Sequence, residues 1–170
     1  MTTVELYVKA KEMQVKAHEE QKYGEYPYSY HIEHVEDVFR RFYQRSEEGL
    51  AAVFIAICLH DALEDTSLTR EEIQTELNED IATLVWRVTD EPGKNRKERK
   101  EKTYLKTRED ERAIIIKLAD RIANVESCQS SNNRLLKMYQ KEHAEFVQAL
   151  RPFCTTVIAE KMWVYLGNIL

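Results

Sequence analysis

Turn-forming residues are too scarce in this chain for most folds to be open to it. Four glycines and three prolines occur in 170 residues, about 4% against roughly 12% in average usage. Sandwiches, barrels and glycine-rich dinucleotide-binding folds need more of both, so the sequence predicts an all-α protein. The length suits a single domain over 1–170 with a core of its own. The longest apolar run, Leu50 to Leu59, has ten residues, far short of the roughly 20 that a membrane span needs. The first residues, MTTVELYVKAKEM, mix acid and base early and lack an apolar block, so no signal peptide is expected.

Periodicity places the helices. A first covers Val4 to Lys22 and is broken by YGEYPY (23–28), because Pro27 disfavours helix at Tyr26. A second covers about 30–45, with Val35, Val38, Phe39 and Phe42 on one face. A third, about 49–63, is apolar nearly all round and reads as the central buried helix. Thr69-Arg70-Glu71-Glu72 fits a capping box for a short helix, and Ile81 to Val88 reads as another. The loop DEPGKN (90–95) precedes a basic helix to about Lys106. Glu109 to Ser127 turns Ile114, Ile115, Leu118, Ile122 and Val125 inward, and helices over about 133–150 and 155–168 follow, separated by Arg151-Pro152.

The net charge of −5 argues against nucleic acid as a partner. Yet residues 94–106 hold seven Lys/Arg against two Glu. Such a segment is either a solvated helix face laced with Glu/Lys pairs or a seat for a small polyanion. Three scattered cysteines without a CxxC give no disulfide framework and suit reducing cytosol.

Polar groups stand where a core helix should not have them. The apolar run ends CLHDALEDT, with Glu64 and Asp65 one turn on from His60 and Asp61. Four ionisable groups at a buried helix end are costly unless paired or bound to a cation. Acids at a helix C-terminus are further disfavoured by the helix dipole. Asp120, Asn124 and Ser127 form a polar stripe on an otherwise Ile/Leu-rich helix, and His31 and His34 share a face at i, i+3. Two imidazoles and two carboxylates suit Mn, Fe, Co, Ni or Zn and are poor for Ca or Mg. On an ideal helix, adjacent His60 and Asp61 diverge by about 100°, an angle suited to neighbouring ligands of one octahedral ion.

The order H…HD…D, with HDALEDT (60–66) and KLADRIANV (117–125), resembles the HD-domain metal-dependent phosphohydrolases. More narrowly, the chain is similar to the hydrolase domain of the alarmone enzymes, which remove the 3′-pyrophosphate of ppGpp, and to their small hydrolase-only members. AHEEQKYGEYPYSYH (17–31), VTDEPGKNRKERK (88–100) and EHAEF (142–146) extend the likeness over most of the chain. The resemblance implies an HD-domain bundle of about eight helices. It implies metal ligation by His31, His60, Asp61 and Asp120, with Mn²⁺ the usual ion and another divalent transition metal an option. Glu64 and Asp65 match the acidic pair that handles the attacking water, while His34 stands outside the ligand pattern. The substrate contacts it implies are Lys22, near the base, Asn124, and Ser127, where relatives often have threonine. Arg134 and Tyr139 are candidates for phosphate contacts on a late helix. Lys97, Arg99 and Lys100 could supply cations to the phosphates. The implied partner is a small nucleotide, with GDP or GTP and pyrophosphate as products. Other HD activities stay open: a (p)ppApp hydrolase, a 5′-nucleotidase, an NADPH phosphatase, or a scaffold that binds a nucleotide without turning it over.

Overall fold

The computed structural model describes residues 1–43, 49–131 and 133–170. In chain order, helix α1 (Thr3–Ala17) is followed by a hairpin of β1 (Lys22–Tyr23) and β2 (Tyr26–Pro27). Helices α2 (Ser29–Phe42), α3 (Ala51–Cys58), α4 (Ala62–Asp65), α5 (Arg70–Glu76), α6 (Glu79–Val88) and α7 (Arg96–Thr107) come next. The chain then runs through α8 (Glu111–Ser131), α9 (Asn133–Leu150), a 3-10 turn (Arg151–Phe153) and α10 (Val157–Ile169). The expected all-α fold is what forms, with one small hairpin added.

Side-chain caps set most of the helix starts. Thr2 and Thr69 each close a capping box, on α1 and α5, and Asn78, Asn95 and Thr156 cap α6, α7 and α10. The hub is α8, which packs on α2, α3, α6, α7, α9 and α10. Its Ile114, Ile115, Leu118, Ile122 and Val125 are wholly buried, as their spacing predicts.

Three differences from the sequence expectation bear on function. Helix α1 stops at Ala17, and Lys22 instead begins the hairpin, whose turn needs Gly24 at φ 62°. The expected end of the second helix at 45 lies outside the described residues; α2 itself closes at Phe42. The expected helix over 49–63 is not continuous. Bonds from Leu59 N to Ala56 O, His60 N to Ile57 O and Ala62 N to Leu59 O tighten the chain into a turn, and α4 restarts after Asp61. His60 and Asp61 therefore sit in a break, and the 100° divergence of an ideal helix does not describe them. Glu64 and Asp65 end the single turn of α4 rather than a long helix, so the dipole penalty expected from a continuous helix over 49–63 does not apply.

Phe146 of α9 is buried between Tyr104 and Trp163. Phe146→Ala should cost about 3–5 kcal/mol of stability, read as a lower urea midpoint with unchanged slope.

Candidate functional site

Four side chains from three places in the chain converge. His31 stands in the first turn of α2, His60 and Asp61 in the break after α3, and Asp120 in the middle of α8. His31 Nε2 lies 3.3 Å from Asp120 Oδ1 and 3.7 Å from Asp61 Oδ2. His60 Nε2 lies 3.1 Å from Asp61 Oδ2 and 3.7 Å from Asp120 Oδ1. Both imidazoles are buried. His31, His60 and Asp120 each present one donor atom within 4.8 Å of the others.

The break in the helix aims His60. Its Nδ1–H donates to Ile57 O at 2.8 Å, which turns Nε2 toward Asp61 and Asp120. That Nε2 is buried without a hydrogen-bond partner. Two ligands of one ion, at about 2.1 Å from it, stand about 3.0–3.5 Å apart. Two of the four separations here fall in that range, and the other two, at 3.7 Å, lie just above it. The donor set and the orphaned nitrogen thus fit a divalent transition metal.

Charge supports the same reading. Burial works to lower the His60 pKa, but the charges of Asp61 and Asp120 hold it well above its ordinary value. Burial would raise both carboxyls; the facing imidazoles hold Asp61 and Asp120 below the usual carboxylate range. Positive charge is strongly favoured at this point, whether a proton or a metal supplies it.

A ring of polar groups fixes the cluster. Tyr28, on the hairpin side, donates its hydroxyl to Asp61 Oδ2, and burial together with the Asp61 charge keeps that phenol protonated. Tyr23 stacks on His31 at 4.8 Å and donates to Asn124 Oδ1 at 3.0 Å, while the Asn124 amide donates to Asp120 Oδ1 at 2.6 Å. Asn124 is thus drawn to the cluster. Ser127 lies one turn further on, 3.3 Å from His34 Nδ1. His34 itself bonds Glu126, which also holds Arg41 and Tyr165, tying α2 to α8 and α10.

Glu64 and Asp65 flank the cluster. Glu64 accepts a hydrogen bond from the Asp90 N–H. Partial desolvation raises its pKa against the pull of Lys117. Lys117, one turn before Asp120, is held charged by Asp90, Glu64, Asp120 and Asp61 despite its burial. Asp90 in turn bonds Lys100 at 2.9 Å. Asp65 accepts from Gln21 Nε2 at 3.1 Å. Sequence reasoning gave no role to Tyr23, Tyr28, Asp90 or Lys117. Their signals were there: aromatic residues crowded just before His31, and a lysine on the α8 turn that carries Asp120.

The basic segment divides. Lys100 is committed to Asp90, whereas Lys97 lies on the outer face of α7, 3.5 Å from Glu145, and Arg99 is exposed. A cavity of about 840 Å³ opens between α7 and α9 and is lined by Lys97, Lys100, Tyr104, Lys141 and Glu142 among others. None of the four converging side chains lines it; it adjoins the cluster through the Lys100–Asp90–Glu64 contacts. Tyr139 lies under Arg121, its ring centroid 4.8 Å from the guanidinium carbon, and Arg134 stands exposed near the start of α9. Lys22 is exposed on the hairpin.

Residues 10–147 match the family model described as HD domain. Among known proteins, a guanosine-3′,5′-bis(diphosphate) 3′-pyrophosphohydrolase of Aquifex aeolicus is 40% identical over 101 residues, 56% of this chain and 14% of that protein. The Drosophila melanogaster guanosine-3′,5′-bis(diphosphate) 3′-pyrophosphohydrolase MESH1 is 32% identical over 106 residues, 62% of this chain and 58% of its own. The match thus spans a seventh of the first relative and under two thirds of the second. A solved structure, described as a metazoan ortholog of SpoT that hydrolyses ppGpp, superposes with a TM-score of 0.73 at 21% identity. It covers 96% of this chain and 94% of that one, a likeness of fold.

The charge balance predicts a stability profile for protein held in chelator. The His60 contribution is complete below its unfolded value near pH 6.5 and is lost as pH rises through its raised folded value. The Asp61 and Asp120 contributions are complete above about pH 4 and are lost in acid. Urea unfolding should therefore show an alkaline decline that Asp61→Asn flattens.

Proposed function

Because the chain belongs to the HD domain family, we propose that it is a metal-dependent phosphohydrolase that removes the 3′-pyrophosphate of (p)ppGpp. The observation that carries this reading is the convergence of His31, His60, Asp61 and Asp120, with a buried His60 Nε2 that has no hydrogen-bond partner at its centre. The curated names of the Aquifex and Drosophila relatives supply the substrate. We assign the four side chains as ligands of one divalent transition ion, Mn²⁺ by the family resemblance.

When bound, the ion supplies Lewis-acid activation of water and of a phosphoryl oxygen. The chain's own groups do the rest. The Asp90 N–H occupies one Glu64 oxygen, so the other is free to accept a proton from the attacking water. Its raised pKa moves that carboxylate toward neutral pH, where a general base is effective. Asp65, anchored by Gln21, orients the same water. The water oxygen bonds to the phosphorus on the 3′ oxygen, that P–O bond breaks, and the 3′ oxygen leaves with a proton. GDP or GTP and pyrophosphate result. Charge developing on the phosphoryl oxygens is met electrostatically. Lys22, Lys97, Arg99, Lys100, Arg134 and Tyr139 are the proposed nucleotide contacts, with Asn124 and Ser127 beside the metal position. No helix is long and apolar enough to cross a membrane among the described residues, and Cys58, Cys128 and Cys154 are free thiols. Both suit action on a soluble nucleotide in a reducing compartment.

Incubation with Mn²⁺ and ppGpp or ppApp, followed by product analysis, tests the reading. Pyrophosphate is the expected product; orthophosphate would mark a phosphatase instead. Glu64→Gln should keep the ion and lower kcat about 10²–10⁴-fold, and a normal kcat would remove Glu64 as the base. Asp120→Ala should lose both ion and turnover.

A further inference from the structure

His18 has no part in the chemistry above, and Gln21 enters it only as the anchor of Asp65, yet both are built into the site. His18 is buried at the end of α1, with its ring parallel to that of Tyr28 at 4.5 Å and 15°. Its Nδ1 lies 2.6 Å from Gln21 Oε1. The Gln21 amide nitrogen donates to Asp65 Oδ2 at 3.1 Å. That second bond fixes the amide's orientation, because a carboxylate can only accept. Oε1 must then face His18, and Nδ1 must carry the proton. Nε2 is left as a bare acceptor, in keeping with its burial without a partner.

We propose that His18 and Gln21 are positioning residues for Asp65, and that the same imidazole backs Asp61 through its stack on Tyr28. One arm runs His18 to Gln21 to Asp65. The other runs His18 to Tyr28 to Asp61, since the Tyr28 hydroxyl donates to that carboxylate. Helix α1 carries no member of the cluster, but the turn that follows it reaches two carboxylates, Asp65 and Asp61, through Gln21 and Tyr28. A side chain held at both ends stays within the few tenths of an ångström that water orientation requires. What Asp65 does once positioned rests on the phosphohydrolase reading.

The first test needs neither substrate nor metal. Long-range ¹H–¹⁵N spectra of protein labelled at histidine should show His18 protonated at Nδ1. Gln21→Ala should release that preference. A His18 protonated only at Nε2, or one indifferent to Gln21→Ala, overturns the brace. The second test is turnover of ppGpp at saturating Mn²⁺. Gln21→Ala should lower kcat about tenfold, with KM and metal stoichiometry unchanged. His18→Phe, which keeps the stack on Tyr28 and loses the N–H, should show the same loss, and the double variant no more than either. In an Asp65→Asn background, Gln21→Ala should change nothing. An unchanged kcat for Gln21→Ala, or an equal loss in both backgrounds, overturns the positioning role. A wild-type protein silent on every nucleotide overturns the functional reading alone, and the tautomer result still decides the brace.

Discussion

Burying like charges together is the constraint around which this molecule is arranged. Asp61 and Asp120, about a fifth exposed, face the same two buried imidazoles. Two carboxylates so close are tolerable only with positive charge between them. The protein supplies imidazolium when nothing else is there, and the same geometry accepts a dication. The break at Leu59–Asp61 follows from this need. A continuous helix would carry His60 and Asp61 around its axis; the turn lets the imidazole bond back to Ile57 O and point its other nitrogen at both acids.

Around that centre, rigidity comes from three directions. Helix α8, buried on nearly all sides, carries Asp120, Asn124 and Lys117 on one stripe. The hairpin brings Tyr23 over His31 and leads into Tyr28, which bonds Asp61. Asp90, at the exit of α6, connects Glu64 to Lys100 of α7. Each link joins a different element to the same cluster, so the positions of Asp61, Glu64 and Asp120 depend on the packing of the whole bundle. A polar network of this kind stabilises only when its members are satisfied, and here most are.

Much of this was legible in the residues. Ile114, Ile115, Leu118, Ile122 and Val125 declare the inner face of α8 by spacing alone, and Thr69 with Glu72 announces its capping box. HDALEDT and KLADRIANV name the polar side chains that the fold brings together. The break after Cys58 was not legible, because its apolar residues read equally well as uninterrupted helix; the bonds that end the helix run from the Leu59, His60 and Ala62 amides to carbonyls three residues back. The hairpin was equally hidden. Two-residue strands carry no alternation, and YGEYPY signals only that a helix stops. Tyr28, Gln21 and Asp90 act through partners 33, 44 and 26 residues away, and local pattern holds no trace of such pairings.

The central claim is that two imidazole nitrogens and two carboxylates share one ion. Pulsed electron paramagnetic resonance on protein loaded with one equivalent of Mn²⁺, with histidine carrying ¹⁵N, reads this directly. The structure predicts couplings from two directly bound imidazole nitrogens, falling to one when either His31 or His60 is replaced by alanine. A spectrum of Mn²⁺ with no bound nitrogen, or one that both replacements leave unchanged, would contradict it.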